Sequence, residues 1–481
     1  MRRGMRTLTW IMAILLAAAI LPGHQVLADD EPESDAPTVE LSDDEVEDAD
    51  GDADEVELIE ESDADVPDDA DDADDVDDAD DDLDDDDEDD IDDDGDDADV
   101  DSDIDQPIPN QAIVRIRTGI DPSTVAARHD ASVLRVIPAP NIALLALQDQ
   151  RGDDEEVAAL AADADVTWIE LNYSSRAPEG LPRYFFTSAA SEPRLVDAPA
   201  LPQGLDFDPG QACVTGDGVV VAVLDTGVDA NHPALAKSIL STGVNMRANS
   251  WDVRDIGNGI DDDGDGRIDE MTGHGTHVTG AILQIAPDAI ILPVTVLDSD
   301  GVGDAFTVTA GIFYAVEEGA QVINLSLGST YDSTAIATAV DLAADRGVTL
   351  VAAAGNADRL TPPEYPAADP GAISVAAVDA KGHKAAFSNY HPSVDISAPG
   401  IDLASTYPGG RYSTASGTSM AAPLVSGTVA LLLDRQPDRT PASITTILQD
   451  TSAPLDLADP ALEGKLGSGQ LDIDAAIACG T

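Results

Sequence analysis

Five continuous apolar runs, at residues 219–224, 289–297, 321–327, 348–354 and 372–378, do most to limit how this chain can fold. A strand that alternates apolar and polar residues buries one face, whereas a strand apolar at every position must be covered on both. Between and beyond these runs lie stretches that read as helices, among them THVTGAILQI (276–285) and AAPLVSGTVALLLDR (421–435). The alternation predicts an α/β domain over 212–481, with a mostly parallel sheet and helices on both faces. At roughly 270 residues it is long enough for one large core.

Three short motifs within this domain carry chemistry. Asp225 closes the run VVVAVLD (219–225) and so stands at a carboxyl strand end, where open α/β sheets gather their reactive groups. His274 lies in GHGTHVTG (273–280), flanked by small residues where a helix begins. Ser419 lies in GTSMAAP (417–423), just inside a Gly-Thr turn at the start of another helix. Unpaired N–H groups and the helix dipole favour negative charge there, as a serine attacking a carbonyl requires. Aspartate, histidine and serine in this order form a charge-stabilised nucleophile system. His277 is the rival base at helical spacing from His274, while His232, His383 and His391 sit in loop-like segments.

The strings VAVLDTGVD, GHGTHVTG and GTSMAAP together resemble the subtilisin-like serine proteases, the subtilase family, and the similarity covers about 215–481. The resemblance implies a serine endopeptidase acting through an acyl-enzyme. Ser419 would be its nucleophile, His274 its base and Asp225 the group that orients the imidazole, with His277 structural. It also implies that Asn356, in VAAAGN (351–356), donates its side-chain amide to the oxyanion, beside the backbone N–H of Ser419. Gly301-Val302-Gly303 and Ser326-Leu327-Gly328 resemble the two family segments that sandwich an extended peptide substrate. Asp304 and Ala305 follow the glycines where relatives often carry an aromatic, which would leave the S4 pocket wide. Glu364 aligns near the floor of the S1 pocket and would favour Lys or Arg there. The alternative is a solvated loop glutamate.

The stretch GNGIDDDGDGRIDE (257–270) is the metal candidate, and its carboxylates suit Ca²⁺. Asp261, Asp263, Asp265 and Asp269 follow an EF-hand-like spacing, Thr272 occupies the position of the usual closing glutamate, and Glu270 could substitute for it. Many subtilases carry a similar insertion before the histidine motif. The calcium loop that subtilisins insert after this helix has no counterpart here, since THVTGAILQI runs straight into APDAIILPVTVLD.

The first 28 residues, with Arg2, Arg3 and Arg6 ahead of an apolar stretch, read as a signal peptide too short for a stable membrane span. Residues 29–105 contain no Lys or Arg and about half of the chain's 96 acidic residues; they are expected to be disordered. Their reading as a solubilising arm or a weak calcium reservoir stays open. From 106 to 175 the order strand, helix, strand, strand, helix, strand fits a ferredoxin-like plan and resembles subtilase propeptides. Such a domain packs against the enzyme and leaves its tail in the active site; a permanent accessory domain is the alternative. Residues 176–211 read as the linker in which a cut would fall. Cys213 and Cys479 bracket the catalytic region and suit a disulfide in an exported protein, or two buried thiols. A formal net charge of −73 argues against nucleic acid as a partner. The expected partners are protein or peptide substrates and the chain's own propeptide.

Overall fold

The structure, a computed structural model, describes residues 106–148, 153–177 and 194–478, apart from 200, 202–204, 206, 211 and 458. The expected signal peptide, acidic segment and much of the linker lie outside these residues, as does Cys479. Cys213 is disulfide-bonded. Among the described residues no helix is long and apolar enough to cross a membrane.

The chain begins with a small α+β layer: β1 (Pro107–Ile116), α1 (Pro122–Arg128), β2 (Ser132–Ile137), β3 (Ile142–Ala146), α2 (Asp153–Ala161) and β4 (Val166–Arg176). Its strands are antiparallel in the order β2-β3-β1-β4. Ala112, Val114, Val125, Ala143, Leu145 and Leu160 close a separate small core beneath the helices. After β5 (Arg194–Val196) the chain enters its larger sheet with β6 (Val220–Asp225) and β7 (Val244–Asn245). Next come α3 (His274–Ile285), β8 (Ile290–Thr295), β9 (Val302–Asp304), α4 (Ala305–Glu317), β10 (Val322–Leu325) and α5 (Thr334–Asp345). Then follow β11 (Thr349–Ala353), β12 (Ala372–Val378), β13 (Ile396–Pro399), β14 (Leu403–Tyr407), β15 (Arg411–Ala415) and α6 (Thr418–Arg435). Helices α7 (Pro441–Thr451) and α8 (Ile473–Ile477) finish the fold.

The five apolar runs become β6, β8, β10, β11 and β12, all parallel, in a seven-stranded sheet ordered β13-β12-β11-β10-β6-β8-β7. Strands β6 and β10 are neighbours although far apart in sequence, so the chain order reverses between them. The carboxyl edge at such a reversal is where side chains from several strands can converge. Helix α6 is buried from Thr418 through Leu433, which accounts for its lack of a polar stripe. It crosses α3 at Gly427, where a Cβ would come within 2.7 Å of Ile285 Cβ. Helix α3 ends at Ile285 and passes directly into β8, with no inserted loop.

Strand β4 joins the small layer to the larger one through two helix N-termini. Glu170 accepts hydrogen bonds from Ser333 Oγ (2.7 Å), Thr334 N (2.8 Å) and Ala335 N (3.0 Å), so it caps α5 from outside the helix. Asn172 does the same for α4, accepting from Phe306 N at 3.2 Å and donating to Asp304 Oδ1 at 3.2 Å. Burial pushes the Glu170 carboxyl up, and these hydrogen bonds oppose that shift.

Candidate active site

Asp225 ends β6 in full burial; its Oδ1 accepts from Thr226 N at 2.7 Å and lies 2.7 Å from His274 Nδ1. Its Oδ2 is buried with no hydrogen-bond partner among the described residues. A carboxylate this desolvated and sparsely bonded concentrates its charge on the imidazole. That fixes the tautomer with the proton on Nδ1 and leaves Nε2 as the basic end. Gly275 lets the two elements approach, since a Cβ there would lie 3.0 Å from Asp225 Oδ1.

His274 opens α3, whose N-cap, Gly273 at φ +98°, has no side chain with which to cap. Asp255 supplies the cap from a distance. One oxygen accepts from Gly273 N (2.9 Å) and Thr226 Oγ1 (3.1 Å), the other from Thr276 N (2.9 Å) and Thr276 Oγ1 (2.6 Å). Burial pushes the Asp255 carboxyl up; the bonds from Thr276 and Gly273 pull it back, and Asp225 adds to the rise. Sequence reasoning missed this residue, which lies 18 positions before Gly273 in a stretch without a recognisable motif.

Ser419 is the second residue of α6. Its Oγ donates to Ser326 O at 3.3 Å, and Ser326 Oγ donates back to Ser419 O at 2.9 Å. Asn356 Oδ1 accepts from both the N–H and the hydroxyl of Thr418, each at 2.9 Å. A backbone N–H can only donate, so this end of the amide must be oxygen, and Nδ2 is the end that donates elsewhere. Asp225, His274, Ser326, Asn356 and Ser419 are all buried at this edge. The arrangement brings together a hydroxyl at a helix N-terminus, an imidazole with an oriented tautomer and an amide donor.

His277, His232, His383 and His391 have structural partners. His277 Nε2 faces Leu403 O (3.1 Å) and Ser413 O (3.2 Å), tying α3 to the β14-β15 hairpin. His232 Nε2 meets Arg411 O at 2.9 Å, His383 Nδ1 meets Asp379 at 3.0 Å, and His391 Nδ1 meets Ser393 Oγ at 2.8 Å.

The expected peptide groove is filled by the chain itself. Ser174, Ser175 and Arg176 pair antiparallel with Asp304, Gly303 and Val302. On the other side Arg176 N donates to Gly328 O (3.0 Å) and Gly328 N to Arg176 O (2.8 Å), while Ala177 N donates to Gly301 O (2.9 Å). Segment 174–177 is therefore one strand laid between the 301–304 and 328 segments. Leu327 is fully buried beneath it. Asp304, placed by sequence at a pocket wall, turns back to cap α4 through Thr307 N at 2.9 Å.

Glu364 lies under the groove, its Oε2 3.0 Å from where a Cβ on Gly328 would be. Its charge, however, is taken up by Arg359, to which it is ion-paired with both side chains largely buried. The expectation that Glu364 offers an unspent carboxylate to Lys or Arg is corrected accordingly: a substrate cation would have to displace a tethered guanidinium.

In the acidic loop, Asp261, Asp263 and Asp265 bring ligand oxygens within 4.8 Å of one another. Asp269 does not join them. It sits at φ +60°, and its carboxylate accepts from Asn258 N (2.7 Å) and Gly259 N (3.0 Å) at the base of the loop. Glu270 adjoins the cluster: both its carboxylate oxygens are buried without hydrogen-bond partners among the described residues. Burial, with Asp300, Asp265 and Asp263 nearby, pushes it up to about 8. Orphaned carboxylate oxygens beside three clustered aspartates fit a hard divalent cation.

Comparison with known proteins identifies the family. A family profile described as the subtilase family matches residues 216–469. Thermitase from Thermoactinomyces vulgaris is 37% identical over 278 residues, spanning 56% of this chain and 90% of thermitase. Subtilisin E from Bacillus subtilis is 34% identical over 318 residues, spanning 62% of this chain and 74% of its own. Fervidolysin from Fervidobacterium pennivorans, described as a keratinolytic enzyme related to subtilisin, superposes with a TM-score of 0.62 at 24% identity. That match covers 77% of this chain and 61% of fervidolysin, and it bears on the fold alone. The chain belongs to the subtilase family and is a serine-type endopeptidase.

Proposed function

We propose that the protein is a secreted endopeptidase made as a zymogen, with Ser419, His274 and Asp225 as its triad. In this reading residues 106–175 are its propeptide, and their extension into the cleft is the first substrate. One observation carries it: Ser174–Ala177 lies as a substrate-like strand between the 301–304 and 328 segments. The basic, then apolar, first 28 residues support export.

Ser419 Oγ attacks the peptide carbonyl while His274 Nε2 takes its proton, and the imidazolium is stabilised by Asp225 Oδ1. The oxyanion of the tetrahedral intermediate accepts hydrogen bonds from Asn356 Nδ2 and Ser419 N. Collapse transfers the proton from His274 to the departing amine and leaves an acyl-Ser419 ester. Water, deprotonated by the same imidazole, then releases the acid. Removing Asn356's amide is expected to cost about 10²–10³ in turnover, the magnitude established for subtilisin itself.

Asp261, Asp263, Asp265 and Glu270 would hold the calcium ion; bound there it would offset part of the loop's negative charge and stiffen it without entering the reaction. A fluorophosphonate probe tests the triad. It should label the processed wild-type protein and, more slowly, Asn356→Ala, but not Ser419→Ala. Absence of labelling in all three would leave a binding protein on a subtilase fold.

A further inference from the structure

We propose that the acidic loop is also a substrate subsite, one that takes a basic side chain through Asp263; this rests on the peptide-cleft reading above. Arg176, whose backbone makes the paired hydrogen bonds to Gly328, directs its guanidinium to the loop, with Nη1 3.8 Å from Asp263 Oδ2. The Asp263 side chain is only 3% exposed in this arrangement. Beside the calcium ion that the loop would hold, the positive side chain facing this carboxylate comes from the strand in the cleft, not from the loop.

The position of this side chain relative to the reacting bond follows from register. With Arg176 opposite Gly328, the residue two further along any strand held this way lies opposite Ser326. Ser326 O is 3.3 Å from Ser419 Oγ, so that residue presents its carbonyl for attack. A side chain in the place of Arg176 therefore belongs to the third residue before the scissile bond, P3.

The loop keeps its sign even with a dication bound. Asp261, Asp262, Asp263, Asp265, Asp269, Glu270 and Asp300 converge on it, and Arg267 is its one basic residue. Cationic peptides are thus favoured both in steering toward this rim and in the docked strand. The preference sits at P3 rather than in the S1 pocket, where Arg359 already neutralises Glu364.

Two measurements test the subsite independently. With processed enzyme in calcium buffer, peptides that differ only at P3 should be cleaved in the order Arg, Ala, Glu. The Arg:Ala ratio of kcat/KM should be about 5 at low salt and fall toward 1 at high salt. Asp263→Asn should collapse that ratio and Asp263→Glu should restore part of it; a ratio near 1 in wild type at every salt overturns the subsite. The second measurement needs no catalysis. In full-length Ser419→Ala, Arg176→Ala and Asp263→Asn should each speed hydrogen exchange at 174–177, and the two together no more than either alone. Additive effects would overturn the pairing. Coupled exchange in Ser419→Ala alongside a wild type that cleaves none of the peptides would instead refute the proteolytic reading and leave the Arg176–Asp263 pairing standing.

Discussion

Ser326 Oγ donates a 2.9 Å hydrogen bond to the carbonyl oxygen of Ser419, and the reason lies four residues further along the helix. Residue 423 is proline, inside α6, and has no N–H to give to the Ser419 carbonyl. The helix would leave that carbonyl orphaned in full burial, at the turn that holds the reactive hydroxyl. Ser326, just past the carboxyl end of β10, fills the gap and so ties β10 to α6.

Ser326→Ala should therefore cost about 1–3 kcal/mol, the desolvation penalty of a buried acceptor left unmade. In a Pro423→Ala background the same change should cost much less, because the backbone N–H restored at that position can serve the carbonyl. Urea unfolding of the four proteins, all carrying Ser419→Ala, reads this cycle. Equal costs of Ser326→Ala in both backgrounds would refute the relationship.

Asp255 should matter to both stability and rate. It accepts from Gly273 N, Thr276 N and two threonine hydroxyls, and an asparagine there would set an NH₂ against donors. We expect Asp255→Asn to lose about 2–4 kcal/mol and to lower kcat more than it raises KM, because α3 carries His274. A variant with wild-type stability and kcat would contradict the capping role.

Asp369 sets a pH dependence. It is buried, its Oδ2 has no hydrogen-bond partner among the described residues, and burial with Asp332 and Asp341 nearby pushes it up to about 7. The folded chain keeps this proton up to about pH 7, whereas the unfolded chain releases it near 3.8. The folded state binds more protons between those values, so this group's contribution is full below pH 4 and is lost as pH rises to 7. Asp369→Asn should then be near neutral at about pH 4 and stabilising at about pH 8, by at most ~4 kcal/mol. Unfolding curves at the two pH values that give the same difference would exclude it.

Calcium removal should discriminate between the two acidic side chains at the end of the loop. Chelation should lower the melting temperature of Ser419→Ala and open 257–270 to added protease. Glu270→Gln should weaken calcium binding by calorimetry, since its orphaned oxygens are buried with Asp263 and Asp265 nearby. Asp269→Asn should leave affinity closer to wild type while loosening the loop base at Asn258 and Gly259. The reverse ranking would restore the simple EF-hand spacing.

How much of this was legible in the sequence depended on chain distance. Asp225 at a strand end and His274 and Ser419 at helix starts are local patterns, and each lies where its motif implied. The apolar runs likewise gave the parallel strands, because burial on both faces leaves no other pattern. The roles of Asp255, Glu170 and Ser326 were not legible, since each acts on an element far along the chain. The bonds from Asn258 N and Gly259 N to the Asp269 carboxylate were not legible either, since the spacing of acidic residues does not show which of them close the loop base. At Glu364 the sequence could not show the ion pair, as only the fold brings Arg359 to that carboxylate.

The most direct test of the account is the intact mass of residues 29–481 expressed with calcium, beside Ser419→Ala. The account predicts that wild type alone is shortened, with its new N-terminus within the first few residues after Ala177, as the pairing of Arg176 with Gly328 implies. Full length in both proteins, or an equal cut in both, would contradict it.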